Sequence, residues 1–366
     1  MLSARIENGC RRIGGSPRHH EFVVRYRHAT SQQLPLNKKA PSPGALRAQV
    51  PPQWRLFHAR WRGHRMSRLR YVVTGASGWL GRATLDELHR ILGPQAFAAR
   101  VHAYAGADRQ VLLRGGGSVA AQALARLDAL PAGPPTLLLH YAFVTPDMVA
   151  GTPAFIAAND TIAATVERAI RRLRPSGMVL MSSGATYRGD DPAREPYGAR
   201  KRQDESRFAA QDCGRLVTCR LFNLSGPYIN NLDHYVLACL IGDALAGRPL
   251  RLRAVRPVWR SYVHVSDVVR LTLGLATAPG PSVCFDTAGD VALEVGALAE
   301  RVRAVLGRDA LPIERSWNPA APADRYLGDG ALMHRLAAAS GVRFRPIEEQ
   351  IADTAAYLRG LTGRSG

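Results

Sequence analysis

The sequence predicts an α/β fold, a doubly wound parallel sheet with a smaller C-terminal α/β lobe. Two observations carry this. From residue 69 onward, short apolar runs alternate with longer segments of helical period, the pattern of successive βαβ units. The first of those runs leads directly into a glycine-rich turn, TGASGWLG, which opens a helical segment.

The elements follow in order. Residues 69–74 (LRYVVT) form a β-branched run, and the segment after the turn has helical period to about residue 92. Residues 100–105 (RVHAYA) read as a second strand, and 120–130 as one amphipathic segment. Thr136–His140 (TLLLH) is a buried strand, and 156–173 a long helix with apolar residues three and four apart. Gly177–Ser183 (GMVLMSS) is a strand, 197–211 a helix and 216–222 (LVTCRLF) a strand. After Pro227 the pieces become shorter and are split by Pro and Gly: 231–246, 250–255, 263–276, 283–288, 293–306 and 332–340. This divides the chain into a dinucleotide-binding domain at 66–226 and a substrate lobe at 227–360. One segment, about 260–278, returns to the main sheet.

Charge and composition narrow the function classes. The net charge is +20, but residues 1–65 contribute +11 of it, with 13 Lys/Arg against 2 Asp/Glu. That stretch is rich in Pro, Arg and Ser and has no sustained period, so it reads as a disordered basic extension, with Met66 as the expected natural start. The remaining +9 lacks aromatic–basic interleaving and does not call for nucleic acid. Apolar runs are too short to span a membrane. The five cysteines form no CxxC pair, which fits a reduced, cytoplasmic protein without a metal site.

The glycine turn places Gly75, Gly78 and Gly81 at a strand-to-helix junction, with Ser77, Trp79 and Leu80 between them. Glycines there permit a tight turn and let the N–H groups at the helix start hold a pyrophosphate, so the fold is Rossmann-type and the cofactor NAD or NADP. An acid about 20 residues on commonly holds the adenosine ribose. Here the second strand ends without one; Asp108 comes late and Arg109 follows it. The missing acid and Arg109 tilt the reading towards NADP.

Beyond Arg65 the chain has 35 arginines and one lysine, Lys201, which stands four residues after Tyr197 on a predicted helix. Ten tyrosines lie in 66–366, so a lysine placed at random falls four after one of them only about 3% of the time. A phenol is a poor base at neutral pH, and a nearby ammonium favours phenolate. Tyr197 can then move a proton at a carbinol–carbonyl carbon while hydride moves to or from the cofactor. A compact ammonium can serve ribose hydroxyls and the phenol together, where a planar guanidinium would aim its donors differently. Ser182 and Ser183 close a buried strand at its carboxyl end, where a hydroxyl can steady a reacting oxygen.

TGASGWLG, MSSGATYRG and PYGARKRQDE together resemble the extended short-chain dehydrogenase/reductase family of NAD(P)-dependent nucleotide-sugar epimerases, dehydratases and reductases. The resemblance covers most of 69–359. It implies a catalytic triad of Ser183, Tyr197 and Lys201 and a nucleotide-diphospho-sugar substrate. Tyr197, Gly198, Lys201 and Glu205 look like the family's YGxSKxxxE, with Arg200 where Ser is usual. RLFNLSGPY is similar to RxxNxxGP, which implies that Asn223 contacts substrate. RPVWRSYVHVSDVVR resembles RxFxxVxDV and implies Arg260 on the diphosphate, with Asp267 in a structural role. Arg325 in PADRYLGD is a second candidate for the diphosphate. Asn159 matches a helix Asn near the cofactor. HYAF stands where the family has HxAA, which sets a bulky Tyr141, with Ala142, beside the cofactor. Gly184 and Ala185 replace the dehydratase Asp–Glu pair, so elimination of water is disfavoured.

The leading expectation is an NAD(P)-dependent nucleotide-sugar epimerase or 4-keto reductase. The same fold also hosts reductases of other small ketones or lactones. A third class is a non-catalytic dinucleotide sensor or nucleic-acid binder; a sensor would be expected to lose Tyr197 or Lys201, and the modest charge of 66–366 argues against nucleic acid. A homodimer is what the resemblance implies.

Overall fold

The computed structural model describes residues 68–362; the basic stretch 1–65 and Met66 lie outside the described residues. Strand β1 (Arg70–Thr74) is wholly buried and runs through the glycine turn into helix α1 (Trp79–Leu92). Gly93, at φ +73°, reverses the chain into α2 (Pro94–Arg100), which carries Pro at its first turn, and β2 (Val101–Ala105) follows. Strands β3 (Arg109–Leu112) and β4 (Ser118–Ala123) form an antiparallel hairpin across the glycine loop 115–117. Then come β5 (Thr136–His140), α3 (Gly151–Leu173), β6 (Gly177–Ser183), α4 (Pro196–Ala209) and β7 (Arg215–Leu221).

The segment 120–130, expected as one amphipathic piece, is divided: it completes β4 and then turns as a 3₁₀ helix, Leu124–Ala129. Its alternation of exposed and less exposed residues is that of an outer strand, and among the 3₁₀ residues Leu127 is buried in the core with Leu124 packed against it.

Beyond β7 the chain makes β8 (Leu224–Ser225), α5 (Val236–Leu245), β9 (Leu250–Leu252), β10 (Val258–Ser261) and β11 (Val263–His264). Next are α6 (Val265–Thr277), β12 (Val283–Asp286), β13 (Ala292–Glu294), α7 (Val295–Leu306), β14 (Ile313–Arg315) and β15 (Asp324–Tyr326). Helices α8 (Ala331–Ser340) and α9 (Ile347–Thr362) end the described chain.

The main sheet has the order β12-β7-β6-β5-β1-β2-β4-β3, all parallel except β3. The order reverses between β1 and β5, which opens a crevice at the carboxyl ends of those strands, where α/β sheets bind ligands. The strand that returns to the sheet is β12, paired with β7 from Val283↔Val217 to Asp286↔Arg220. Helix α6, from the 260–278 segment, packs across β6 and β7, and the Ala276 carbonyl lies where a Cβ on Gly177 would fall.

Three apolar clusters follow from this layering. Leu85, Leu88, Val268, Leu271 and Met333 join one face of the sheet, and Val166, Ile170 and Phe208 join the other. A third cluster around Leu237, Ile241, Leu298 and Ile351 lies between the lobe's helices and its small strands. Trp79 packs against both the first and the third. No helix among the described residues is long and apolar enough to cross a membrane.

Candidate active site

The crevice begins at the glycine turn. Gly75 has φ +69°, and a Cβ there would fall 2.6 Å from the Ala142 nitrogen, so this residue lets the segment after β5 lie against the turn. Gly81 is packed more tightly: its Cβ would be 2.2 Å from the Gly75 carbonyl. Gly78 is exposed and Ser77, Trp79 and Leu80 are half-buried. Helix α1 starts with no side-chain cap and no carboxylate in its first turn. Its free N–H groups and the positive end of its dipole therefore suit an anion, and the turn fits a pyrophosphate. Trp79 leans away from the turn, its ring 5.5 Å from that of Tyr235.

The far wall is the segment after β5. His140 Nδ1 lies 2.8 Å from the Thr74 hydroxyl oxygen, which also accepts the N–H groups of Tyr141 and Ala142. Burial pushes the His140 imidazole down to about 3, so it is neutral and fastens β5 to β1. Tyr141 turns its phenol oxygen into the interior, away from solvent. Its neighbour Phe143 faces the reactive side chains instead.

Tyr197 and Lys201 project from α4, one turn apart, towards the end of β6. The Lys201 ammonium is buried, donates to the Met181 carbonyl at 3.1 Å and lies 3.5 Å from the centre of the Phe143 ring. Burial lowers its pKa to about 8, with Asp204 and Glu205 opposing. The Phe143 ring also meets Tyr197 edge-on, with centroids 5.6 Å apart. The Tyr197 phenol is pushed up to about 12 by burial; the Ser183 hydroxyl works against this and Tyr326 adds to it. That direction is opposite to the one expected from the lysine's proximity: burial sets it, while the ammonium contacts Met181 and Phe143.

Ser183 ends β6. Its hydroxyl caps the following turn by accepting the Ala185 N–H at 3.2 Å, and lies 3.4 Å from the Tyr326 hydroxyl. Tyr326 was not singled out in the sequence. It stands on β15 opposite Arg260 of β10, stacked 4.7 Å from Phe222, and its pKa is raised by burial. Strand alternation is the signal that separates it from its neighbour. Arg325 is exposed and covers the Trp259 ring at 4.9 Å, on the opposite side of the strand from Tyr326.

Other singled-out residues hold the frame. Asn223 donates to the carbonyls of Ser261 and Tyr326, each at 3.2 Å, and so ties β15 to the site. Asn159 brackets Val144, accepting its N–H at 3.0 Å and donating to its carbonyl at 2.9 Å. Its amide thus fixes the segment carrying Phe143. Arg109 is exposed at the start of β3, the outermost strand, and Asp108 caps the Ala123 N–H and pairs with Arg126. Arg200 points away from Tyr197: it is buried against Asp160, Asp204 and the Asn159 carbonyl, and pins α4 to α3. Glu205 and Arg220 form a paired-oxygen bridge at 2.8 and 2.6 Å. Asp267 is wholly buried and receives Arg270 and Arg345.

Arg260 is anchored by Asp324 at 2.9 Å and leads from Tyr326 into a cavity of about 540 Å³ in the lobe. Arg251, Arg253 and Arg256 also line it, among apolar side chains such as Leu240 and Val295 and beside Asp233 and Asp324. The described residues hold no cluster that could bind a metal ion.

A doubly wound sheet with a glycine turn at its first crossover defines a dinucleotide-binding α/β protein. A sequence profile of the NAD dependent epimerase/dehydratase family matches residues 71–283, and the chain belongs to that family of enzymes. Among curated proteins, none matches it significantly by sequence. Solved structures share its fold. UDP-N-acetylglucosamine 4-epimerase from Methanobrevibacter ruminantium, in complex with UDP-N-acetylmuramic acid, has a TM-score of 0.61 and 18% identity, over 80% of this chain and 98% of that one. UDP-glucose 4-epimerase from Thermotoga maritima, with UDP-glucose, has 0.60 and 20%, over 80% and 99%. The Bordetella bronchiseptica enzyme WbmH, in complex with NAD⁺, has 0.59 and 17%, over 79% and 98%.

Proposed function

We propose that the chain is a nucleotide-sugar 4-epimerase or 4-keto reductase that uses NAD or NADP, with Tyr197 as the proton-transfer group. One observation carries the reading. Ser183, Tyr197 and Lys201 converge at the carboxyl end of β6, between the glycine turn and an arginine-lined cavity that Arg260 joins to the site.

In this reading the N–H groups at the start of α1 bind the pyrophosphate, and Lys201 holds hydroxyls of the ribose next to the reacting ring. The bound dinucleotide accepts or supplies hydride. Ser183 donates a hydrogen bond to the reacting sugar oxygen, and Tyr197 takes or returns that oxygen's proton. Tyr197 starts protonated, since burial holds its phenol near 12. Its use as a base therefore requires positive charge brought close, from Lys201 and from an oxidised ring. Arg260 and the arginines of the cavity meet the diphosphate and the nucleoside beyond it. With Asp108 turned to Ala123 and Arg126, no free carboxylate stands at the end of β2 to repel a 2′-phosphate, which favours NADP.

Residues 227–360 then act as the substrate lobe, and the protein works as a homodimer in the cytoplasm without nucleic-acid or membrane partners. The test is to denature purified protein and identify what nucleotide it releases. Retained NAD supports the epimerase; an empty protein that oxidises NADPH with a 4-keto sugar nucleotide supports the reductase. Binding of neither dinucleotide overturns both.

A further inference from the structure

We propose that the Phe143 side chain is a displaceable plug over Lys201, swung aside when the nicotinamide-side ribose of a dinucleotide takes its place. This rests on the reading of the crevice as a dinucleotide site.

The backbone on either side of Phe143 is fixed. Tyr141 and Ala142 donate to Thr74, and Val144 is held at both its N–H and its carbonyl by Asn159. Ala142 also lies against the glycine turn, where a Cβ on Gly75 would touch its nitrogen. The segment has no slack to open as a loop. The ring is half-buried, meets Phe155 at 5.9 Å and Tyr197 at 5.6 Å edge-on, and lies over the ammonium. Side-chain rotation is therefore the available motion.

Lys201 has three donors, of which one reaches the Met181 carbonyl. The aromatic face covers the ammonium at 3.5 Å in place of further hydrogen bonds. A ring quadrupole is a weaker partner than two hydroxyl oxygens, which form charge-assisted hydrogen bonds. A diol arriving at Lys201 must occupy the space the ring now fills. Displacement thus trades a cation–π contact for hydrogen bonds, and the lost contact weakens dinucleotide binding by a factor of about 2 to 30. The adenosine half, at the glycine turn, bears none of this cost. Until the ring moves, Lys201 is directed to Met181 and Phe143. Once it moves, the ammonium is free to act on Tyr197.

The test compares wild type with Phe143→Ala by calorimetric titration of NAD⁺ and NADP⁺, each beside its adenosine half, ADP or 2′,5′-ADP. Phe143→Ala is expected to tighten the preferred dinucleotide about 2- to 30-fold and leave the affinity for its adenosine half unchanged. Phe143→Leu, which keeps an apolar filler without the ring face, is expected to give a smaller gain and covers the case in which the alanine variant does not fold. Lys201→Met in the Phe143→Ala background should remove the gain. Equal dinucleotide affinity in wild type and variant, an equal shift in the adenosine half, or weaker binding by the variant would overturn the plug. Tight binding of the dinucleotide without a Phe143 effect leaves the dinucleotide reading standing while the plug falls. Failure of every protein to bind any of the four nucleotides sinks the reading beneath it.

Discussion

The two ends of the crevice are built from different materials. At the glycine turn, main chain does the positioning: Gly75 and Gly81 remove side chains so that backbone can meet backbone, and helix α1 opens there without a side-chain cap. At the other end, Ser183, Tyr197, Lys201, Phe143 and Tyr326 compete for the same volume with side chains. Backbone geometry has few alternatives once the glycines are set, whereas a side-chain cluster can be rearranged by a single rotamer. The first end is ready for its ligand, and the second is packed against itself.

Tyr197→Phe tests the second end with the largest expected effect. Turnover should fall about 100- to 10,000-fold while ADP affinity changes little. Loss of ADP binding as well would mean that the two ends are not separable. Gly81→Ala attacks the first end. Its Cβ would stand 2.2 Å from the Gly75 carbonyl and 2.6 Å from Ala76 Cα, so a loss of about 2–3 kcal/mol is expected in chemical denaturation, with weakened ADP binding. A variant as stable as wild type would show that the turn can relax.

Asn159→Ala tests the join between the ends. It strands the Val144 N–H and carbonyl, and a loss of about 1–3 kcal/mol is expected, together with weaker protection of the Val144 amide in hydrogen exchange. Unchanged protection would show that the segment is fixed by Thr74 alone. The smallest effect is electrostatic. The Lys201 pKa is lowered in the folded chain to about 8, below its ordinary 10.5, so the folded state resists its charge. That penalty is complete below about pH 8 and fades as pH rises towards 10.5. Lys201→Met should therefore raise the stability of the ligand-free protein by about 1 kcal/mol at pH 7, with a gap that narrows at pH 9.5. A gap that widens with pH would reverse the sign of this argument.

The same contrast explains what the sequence disclosed. Strands β5 and β6 were legible to the residue, since a strand buried on both faces reads as an unbroken apolar run. The glycine turn was legible because backbone constraints leave glycines at fixed spacing. The β3–β4 hairpin was not, since its exposed alternation over small residues has little apolar contrast. At the site, the singular lysine and its tyrosine stood out by composition. Phe143 and Tyr326 did not, because their importance comes from what surrounds them in space. Attention fell on Tyr141 and Arg325 instead, each close by in sequence and facing elsewhere. Arg200, which stands where the resemblance has Ser, is buried against Asp160 and Asp204 and fastens two helices.

The return of β12 to the main sheet leaves β7 without its outer neighbour until late in synthesis. During synthesis β7 emerges well before its outer neighbour, with α5, β9, β10 and α6 in between. For that interval β7 is an uncovered sheet edge, with a row of unpaired N–H and carbonyl groups open to other nascent chains. Only when Val283–Asp286 has emerged can that edge take its native neighbour.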